Sequence, residues 1–367
     1  MSAMDSGLES LIARVRLAAE AGTPLRIRGG GSKDFYGEAP QGELLSTLAF
    51  AGITNYEPSE LVVTVRAGTP LAELEAALAA QGQCLPFEPP HFAGGATVGG
   101  MVAAGLAGPA RASAGSVRDF VLGLSMINGR GECLSFGGQV MKNVAGYDLS
   151  RLMAGALGTL GLISEVSLKV LPVAPAEATL RFTMTQAQAL QALNEWGGRP
   201  LPLNASCWMQ DGEGGTLWLR LRGAVAAVEA AGRTLGGERV REDEAAAHWL
   251  ACRDQRLPWF AARAGRALWR LSVPQTAPVL ELPPAPLVEW HGAQRWLLAG
   301  AGEALRIREV AQRAGGHATL FAAGGESGAA VPRFAPLAPP LDRIHRELKR
   351  QFDPAGIFNP GRLYAAF

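Results

Sequence analysis

The chain has 367 residues, a formal net charge of +1, and a hydrophobic fraction of 48%. This length favours two or three structural units, and the apolar fraction is large enough for a substantial buried core. The near-zero net charge and the lack of any Lys/Arg block exclude nucleic acid as a partner. Any anion that the protein binds must therefore be held by a local site.

The four cysteines stand far apart, and none belongs to a CxxC pair; they are Cys84, Cys133, Cys207 and Cys252. Because iron–sulfur, zinc and dithiol sites commonly use closely spaced cysteines, this spacing predicts free thiols and no metal site. Free thiols are typical of a reducing cytosol. The N-terminus shows no basic segment followed by an apolar one, which argues against export, so we expect a cytoplasmic protein.

A helix and a strand come first along the chain. Apolar residues recur at helical spacing from Leu8 to Ala19 and stop before Gly22 and Pro24. A short strand over residues 25–28 then leads directly into three consecutive glycines. A second strand is predicted over 61–65. A helix follows over 71–81, for which Thr69 is the expected N-cap and Pro70 the first-turn residue.

The segment 89–123 is rich in glycine and has no charged residue between His91 and Ala110. The uncharged run 92–110 is long enough to span a bilayer, but it consists mostly of glycine and alanine. We therefore predict no transmembrane segment. A hairpin follows, with strands over 120–127 and 132–136 around an Asn-Gly turn.

A domain boundary is predicted after residue 173. Residues 166–170 alternate between apolar and polar side chains, as in a half-buried strand, and Pro172 and Pro175 end that strand. The following residues are richer in Arg, Trp and Glu. They contain a predicted strand over 216–222, helices over 225–235 and 303–312, and a proline-rich connector over 276–286. The C-terminal segment contains a helix that stops at Asp353 before the sequence IFNPGRL.

Two glycine-rich stretches have the composition of a diphosphate site. Such an anion must be approached closely by backbone N–H groups without obstruction by Cβ atoms. The stretches 29–32 and 96–100 both meet this need, although each of them alone is better explained as a plain turn. Neither has the GxGxxG pattern with a later acidic residue, which argues against a Rossmann fold. Together with the GTLG sequence at 158–161, they favour a dinucleotide site.

Six motifs in a fixed order carry a family resemblance. They are RGGGS at 28–32, GGATVGG at 94–100, GSVRDFVLG at 115–123, MKNVAGYDL at 141–149, GALGTLGLISEVSLKVLP at 155–172 and FDPAGIFNPGRL at 352–363. This set resembles the vanillyl-alcohol oxidase and p-cresol methylhydroxylase (PCMH) superfamily of flavoproteins. More narrowly, it is similar to the FAD-binding subunits of bacterial glycolate oxidases. The resemblance covers residues 1–175 and the C-terminal segment, whereas the middle matches mainly by size.

The resemblance implies an α+β fold in three parts. These are a two-part PCMH-type FAD-binding domain (1–173), a smaller α+β cap-like domain (174–330), and a C-terminal segment (331–367) that returns to the flavin. It also implies a set of FAD-binding residues: Arg28, Gly29, Gly30, Gly31 and Ser32 around the pyrophosphate; Ala96, Thr97, Gly99, Gly100 and Gly115 along the same channel; Gly161 and Ile163 on the following strand; and Asn359 near the isoalloxazine.

Two departures from the family pattern refine these expectations. Covalent members attach flavin through His or Cys in the loops, but the first loop here has Ser32 and the second has no Cys, which predicts noncovalent FAD. His91 is better explained as a loop hydrogen-bonding residue than as a flavin ligand. The longer hydroxy-acid dehydrogenases also carry a HGHxGDGNxH stretch, whereas His248, His291, His317 and His345 are isolated here. Because hydroxy-acid oxidation needs a group that accepts a proton, no catalytic residue is assigned.

For several other charged residues, the sequence is compatible with either a functional or a structural role. Arg111 and Arg118 could neutralise a carboxylate or a flavin-associated charge, or they could be structural. Lys142, Tyr147 and Asp148 lie in a motif that approaches the flavin in the family, but a stabilised turn explains them equally well. The tryptophans of the middle region are expected to pack that domain or a subunit interface.

Three functions follow from these features. The leading hypothesis is an oxidoreductase subunit of a multi-component glycolate oxidase. It would hold FAD beside a larger homologous flavoprotein subunit and an iron–sulfur subunit, and it would support electron transfer toward quinone. That complex leaves open a peripheral association with the inner face of the membrane. The alternatives are a self-sufficient FAD-dependent D-2-hydroxy acid dehydrogenase and a non-catalytic scaffold.

Overall fold

The computed structural model describes residues 3–138, 148–212, 214–325 and 331–365. Lys142 and Tyr147, two of the candidates named above, lie outside these ranges.

The first part of the chain contains six helices and nine strands within the described residues. In chain order they are α1 (Ala3–Ala21), β1 (Leu25–Arg28), β2 (Glu43–Ser46), β3 (Ile53–Glu57), β4 (Val62–Arg66), α2 (Leu71–Ala79), β5 (Gln83–Cys84), α3 (Val98–Ala104), α4 (Arg111–Ala114), α5 (Val117–Phe120), β6 (Val121–Ile127), β7 (Cys133–Gly137), α6 (Leu149–Leu152), β8 (Leu162–Lys169) and β9 (Leu171–Pro172). A single 3₁₀ turn, Pro58–Glu60, precedes β4.

A five-stranded antiparallel sheet with the order β3-β4-β8-β6-β7 organises this part. Val63, Val65, Val166 and Leu168 are completely buried beneath it. The buried face of α2 and the residues of α3 pack against the same core. Strands β1 and β2 form a separate parallel pair, and β5 pairs with β9.

The second part is built on an eight-stranded sheet with the order β13-β10-β12-β11-β15-β16-β14-β17, in which every pair is antiparallel. Its elements are β10 (Ala176–Thr183), α7 (Gln186–Gly197), β11 (Leu203–Asp211), β12 (Gly214–Gly223), α8 (Val225–Leu235), β13 (Glu238–Arg239), α9 (Glu242–Arg253), α10 (Pro258–Ala261), β14 (Ala267–Ser272), β15 (Leu287–Glu289), β16 (Gln294–Ala299), α11 (Ala304–Arg313) and β17 (His317–Ala322), with 3₁₀ turns at Trp290–Gly292 and Ala301–Glu303.

The tail returns to the beginning of the chain. Helix α12 (Leu341–Phe352) is followed by a segment that forms a parallel bridge between Phe358 and Leu25 of β1. The buried Lys349 ammonium donates to Asp353 (2.7 Å) and to the carbonyl oxygens of Thr159 (2.8 Å) and Phe358 (2.7 Å). The last residues are thereby fixed between β1 and the GTLG segment.

Most predicted elements are confirmed within one or two residues, but one predicted cap is wrong. Thr69 is not the N-cap of α2; Pro70 occupies that position and supplies no side-chain hydrogen bond. The Thr69 hydroxyl instead accepts a hydrogen bond from the backbone N–H of Gly52 at 2.8 Å.

The two large sheets share no strand, and β9 and β10 lie on either side of the proposed boundary. The division into segments 1–173, 174–330 and 331–367 remains a prediction.

Candidate functional site

The loop that follows β1 presents four successive backbone N–H groups without partners. The amides of Gly29, Gly30, Gly31 and Ser32 have no acceptor in the part of the chain that the structure describes. Gly31 has a φ of +76°, which L side chains rarely adopt. An array of unpaired amides in a tight loop is a ready-made anion-binding concavity.

The second glycine-rich stretch packs directly against this loop. A Cβ atom built on Gly30 would lie 1.5 Å from the Gly95 carbonyl oxygen, and one on Gly29 would lie 2.2 Å from Thr97 Oγ1. The backbone contact admits only glycine at position 30, and at position 29 a Cβ would collide with the Thr97 side chain. The two stretches therefore form the two sides of one channel.

The stretch 96–100 forms one wall of the channel, and several of its backbone N–H groups are already hydrogen-bonded. Thr97 caps α3, and its Oγ1 accepts from the Gly100 N–H at 3.2 Å. The N–H of Val98 donates to Thr69 O and that of Gly99 to Ala67 O. The expectation that this stretch offers amides to the ligand is therefore wrong for these three groups, because they already have protein acceptors.

Asn359 closes the channel from a third side. Its Oδ1 accepts from the Ile27 N–H at 2.8 Å, and its Nδ2 donates to Leu157 O at 2.6 Å. Gly158 leaves room for this amide, since a Cβ there would lie 2.7 Å from Asn359 Nδ2. Asn359, which lies 332 positions after Ile27, thus joins β1 to the residue that precedes the GTLG segment.

Two adjoining cavities of about 90 and 60 Å³ mark the channel, and they share six lining residues, among them Gly29, Gly100 and Asn359. Most of the predicted cofactor-binding residues line one or both: Arg28, Gly29, Gly30, Gly31, Ser32, Thr97, Gly99, Gly100, Gly161, Ile163 and Asn359. The structure does not bring Ala96 and Gly115 to these cavities. Ala96 is buried and accepts from the Leu71 N–H, and Gly115 ends α4 with a φ of +106°. The cofactor contacts themselves remain predictions.

Sequence reasoning missed two cations that line the channel. Lys33 is half-buried, and its Nζ lies 3.3 Å from Ser32 Oγ and 5.7 Å from the centre of the Phe92 ring. Burial lowers the pKa of Lys33 to about 8. Arg362 is buried and donates to the backbone oxygens of Glu38 and Asp34. Lys33 directly follows the glycine loop, and that adjacency was the available signal.

A larger cavity of about 750 Å³ opens on the other side of the GTLG segment. Gly155 and Ala156, strands β14 and β17, and the tail all contribute to its wall. Arg270, His317 and His345 line it, whereas no described carboxylate does. Burial lowers the pKa of both histidines. Two histidines that are isolated in the sequence are thus brought to one anion-compatible cavity.

Three of the remaining candidates, His91, Arg111 and Asp148, have structural partners. The His91 ring is hydrogen-bonded to Glu75 at 2.9 Å, in line with its predicted loop role. The Arg111 guanidinium lies 4.7 Å from the centre of the Trp290 ring, and Asp148 caps α6. Arg118 is exposed. Of the five tryptophans that are predicted to pack the middle region, Trp208, Trp218, Trp249 and Trp269 are buried, and Trp259 is partly buried against the same core.

Comparison with known proteins identifies the family. The family model described as "FAD binding domain" matches residues 7–137. Over 357 residues the chain is 49% identical to the glycolate oxidase subunit GlcE of Escherichia coli, and the match covers 97% of each protein. The chain belongs to the GlcE family. Its cofactor is FAD, and its fold is the α+β fold of PCMH-type flavoproteins.

More distant sequence relatives match about half of the chain. The D-lactate dehydrogenase of Archaeoglobus fulgidus is 30% identical over 201 residues, which covers 54% of this chain and 45% of that protein. The glycolate oxidase subunit GlcD of Bacillus subtilis is 30% identical over 166 residues, covering 45% and 35%. An alkyldihydroxyacetonephosphate synthase structure aligns with a TM-score of 0.66 at 16% identity, over 96% of this chain and 74% of that one, which shows a shared fold.

The residues of the channel fit FAD. The unpaired amides of the loop after β1 suit a pyrophosphate, and Lys33 adds positive charge beside them.

No helix within the described residues has both the length and the apolar character needed to cross a membrane.

Proposed function

We propose that this chain is the FAD-holding subunit of a multi-subunit glycolate (2-hydroxy acid) oxidase. The observation that carries the proposal is the 49% identity over nearly the whole length of a glycolate oxidase subunit, with the glycine channel intact. FAD accepts two electrons from a substrate or another centre and can pass them on. The chain would act with a larger homologous flavoprotein subunit and an iron–sulfur subunit, supporting electron transfer toward quinone.

The homologous GlcD subunit of another glycolate oxidase supports this partnership. GlcD matches the present chain over 166 residues, so one glycolate oxidase contains a subunit related to this chain. Within this chain, the amides of Gly29–Ser32 and the Lys33 ammonium would bind the pyrophosphate, and Asn359 would keep the GTLG segment in position. Among the described residues that line the two channel cavities there is no His, Cys or Tyr, which supports noncovalent FAD.

Affinity purification of the tagged chain from its native host, followed by intact-mass analysis and an absorption spectrum, tests the proposal. We expect two partner proteins, one a flavoprotein and one an iron–sulfur protein, and a yellow chain that loses its flavin on denaturation and filtration. A chain that purifies alone and colourless would contradict the proposal and favour the scaffold alternative. Flavin retained on the precipitate would contradict noncovalent binding only.

One observation favours a second candidate, a self-sufficient D-2-hydroxy acid dehydrogenase. Arg270, His317 and His345 line the same cavity, so a carboxylate-binding cation and two potential proton acceptors lie near the GTLG segment. Anaerobic addition of glycolate or D-lactate to the purified chain distinguishes the two candidates. Bleaching of the flavin that is lost in His317→Gln or His345→Gln would support the second, whereas no bleaching removes it.

A further inference from the structure

Two of the four cysteines, which are 45 positions apart, meet in the second part of the fold. Cys207 on β11 lies directly opposite Glu289 on β15 in the antiparallel register, and α9 brings Cys252 onto the same pair. One sulfur from each cysteine and one carboxylate oxygen lie within 4.8 Å of one another. Exposure is 0% for Cys207, 3% for Cys252 and 4% for Glu289.

From this cluster we infer a structural zinc site with Cys207, Cys252 and Glu289 as its protein ligands. The inference is independent of FAD and of the proposed function. Thiolates with a carboxylate are a donor set suited to Zn²⁺, which is usually four-coordinate and tetrahedral in structural sites.

The carboxylate is already oriented as a ligand would be. Glu289 Oε2 accepts from Gln294 Nε2 at 2.7 Å and from Trp296 Nε1, whereas Oε1 faces the thiols. Gln294 is the register partner of Glu289 on β16, so the sheet itself places this support. Outer hydrogen bonds of this kind commonly fix ligating carboxylates.

Space for a fourth ligand exists beside the cluster. A small cavity of about 20 Å³ has Cys252 and Glu289 among its lining residues. About 10–15 Å³ is enough for one water molecule. A water there would complete a tetrahedral set of two sulfurs and two oxygens.

A positively charged side chain lies near the proposed zinc site. Two thiolates, one carboxylate and Zn²⁺ leave one negative charge in the core. Arg270 lines the same cavity, and it has no carboxylate partner among the described residues. A buried negative site beside an uncompensated guanidinium costs less free energy than either charge alone.

Binding is an exchange of protons for metal without any change in oxidation state. Zn²⁺ bonds to both sulfurs, to Glu289 Oε1 and to one water, and the two thiol protons pass to solvent. Without metal, the Cys252 thiol donates to Glu289 Oε1 at 2.6 Å. Tetrahedral zinc with usual bond lengths would separate these two atoms to about 3.6 Å, so ligation needs a shift of about 1 Å.

A redox dithiol is the less favoured explanation for this pair. Both cysteines are enclosed by the fold, since Cys207 is 0% and Cys252 3% exposed. Reactive thiols are exposed and have a lowered pKa. Buried thiols of this kind become thiolates chiefly when a metal displaces their protons.

The test is the zinc content of the full chain purified with its FAD from zinc-replete culture and dialysed against metal-free buffer. We expect about one zinc per chain, falling about tenfold or more in Cys252→Ser and Glu289→Gln. The matched controls Cys84→Ser and Cys133→Ser, which lie outside the cluster, should keep their zinc. Zinc-edge X-ray absorption of the unmodified chain should show two sulfur neighbours, a result that does not depend on whether the variants fold.

Two outcomes would overturn the inference. One is a chain with less than about a tenth of a zinc whose melting temperature does not rise on adding ZnCl₂. The other is bound zinc with fewer than two sulfur neighbours, or zinc that survives both Cys252→Ser and Glu289→Gln, since the metal would then lie elsewhere.

Discussion

Lys33 illustrates how a single side chain sets the electrostatics of the channel. Its only hydrogen-bond partner in the described residues is Ser32 Oγ, and burial lowers its pKa to about 8. The charge of Asp254 opposes this effect only in part, and a pyrophosphate would further favour the charged form of Lys33. The ammonium therefore couples FAD binding to pH near neutrality.

From this coupling we expect FAD affinity to fall as the pH rises. Below pH 8 Lys33 is charged and attracts the pyrophosphate, and above its pKa that attraction is lost. Between pH 7 and 9.5 the Kd should increase about tenfold, because a charge-assisted contact contributes roughly 1–2 kcal/mol. The measurement is FAD fluorescence during titration of the apoprotein. Lys33→Met should bind more weakly at pH 7 and show a flatter pH profile; an equally steep profile in that variant would assign the dependence to another group.

The glycines of the channel serve different purposes, and their substitution tests different things. A Cβ on Gly30 would collide with the Gly95 backbone, so changing Gly30 disturbs the contact between loops before it affects any ligand. At Gly100 a Cβ would lie 3.0 Å from Thr97 Oγ1, and among the described residues no other atom outside the helix's own backbone comes within 4 Å. Gly100 itself lines both cavities. Gly100 is therefore the better probe of the channel.

We expect Gly100→Val to weaken FAD binding by at least about tenfold, since the added methyl groups would enter the space that a pyrophosphate needs. The matched control is Gly94→Val, where a Cβ would meet nothing within 4 Å. Equilibrium dialysis gives the affinity, and urea denaturation of the two apoproteins separates binding from folding. Equal FAD affinity in both variants would argue against the channel.

At the scale of elements, the tail is fixed by a buried ion pair at the end of α12. Lys349 and Asp353 are 6% and 1% exposed, and Asp353 also accepts from the N–H groups of Ile357 and Phe358. Every donor of the ammonium has an acceptor, and one of these belongs to Thr159 in the GTLG segment. The pair therefore joins the tail to the wall of the channel.

Removing one partner of this pair should be costly. Lys349→Met would leave the Asp353 carboxylate buried without its cation, and we expect a loss of about 3–5 kcal/mol of unfolding free energy. Arg350→Ala is the control, because its ion pair with Glu347 is exposed and should contribute less than about 1 kcal/mol. Urea denaturation followed by tryptophan fluorescence measures both. Similar losses in the two variants would mean that the buried pair is not what holds the tail.

At the scale of the whole molecule, side-chain contacts join the first part of the chain to the second. Arg220 of β12 donates to both Glu88 carboxylate oxygens at 2.7 Å. The Trp290 indole donates to Gly108 O, and the His291 ring lies 3.1 Å from Ser113 Oγ. Burial lowers the pKa of His291 to about 4, as it does for His248, whose ring stacks on Trp218 at 3.9 Å.

These buried histidines predict acid lability. Their pKa values in the folded protein lie below the ordinary value near 6.5, so the unfolded chain binds more protons between pH 6.5 and 4 and stability is lost as the pH falls. Each group accounts for up to about 3 kcal/mol over this range. His248→Phe, which preserves the stack, should reduce the decline in melting temperature between pH 7 and 5. An unchanged slope would exclude His248 as a source of the acid sensitivity.

Much of this organisation could be predicted from local patterns in the sequence. Residues 25–28 and 225–235 form a strand and a helix with the predicted bounds, because periodicity and terminal glycines are local signals. The glycine loops could be assigned to a dinucleotide because close approach to a backbone restricts the residue type to glycine. The family and its cofactor follow from the order of those motifs.

The sequence by itself identified the protein as FAD-binding, because the glycines that admit a pyrophosphate are consecutive residues of the chain. Only the tertiary structure decided which groups surround it and which distant groups meet. The register of the second sheet placed Cys207 opposite Glu289. The return of the C-terminal segment placed Asn359 between β1 and the GTLG segment. Strands β14 and β17 and the C-terminal segment brought His317 and His345 to one cavity. Such meetings depend on long-range packing, which leaves no periodic signal in the order of residues.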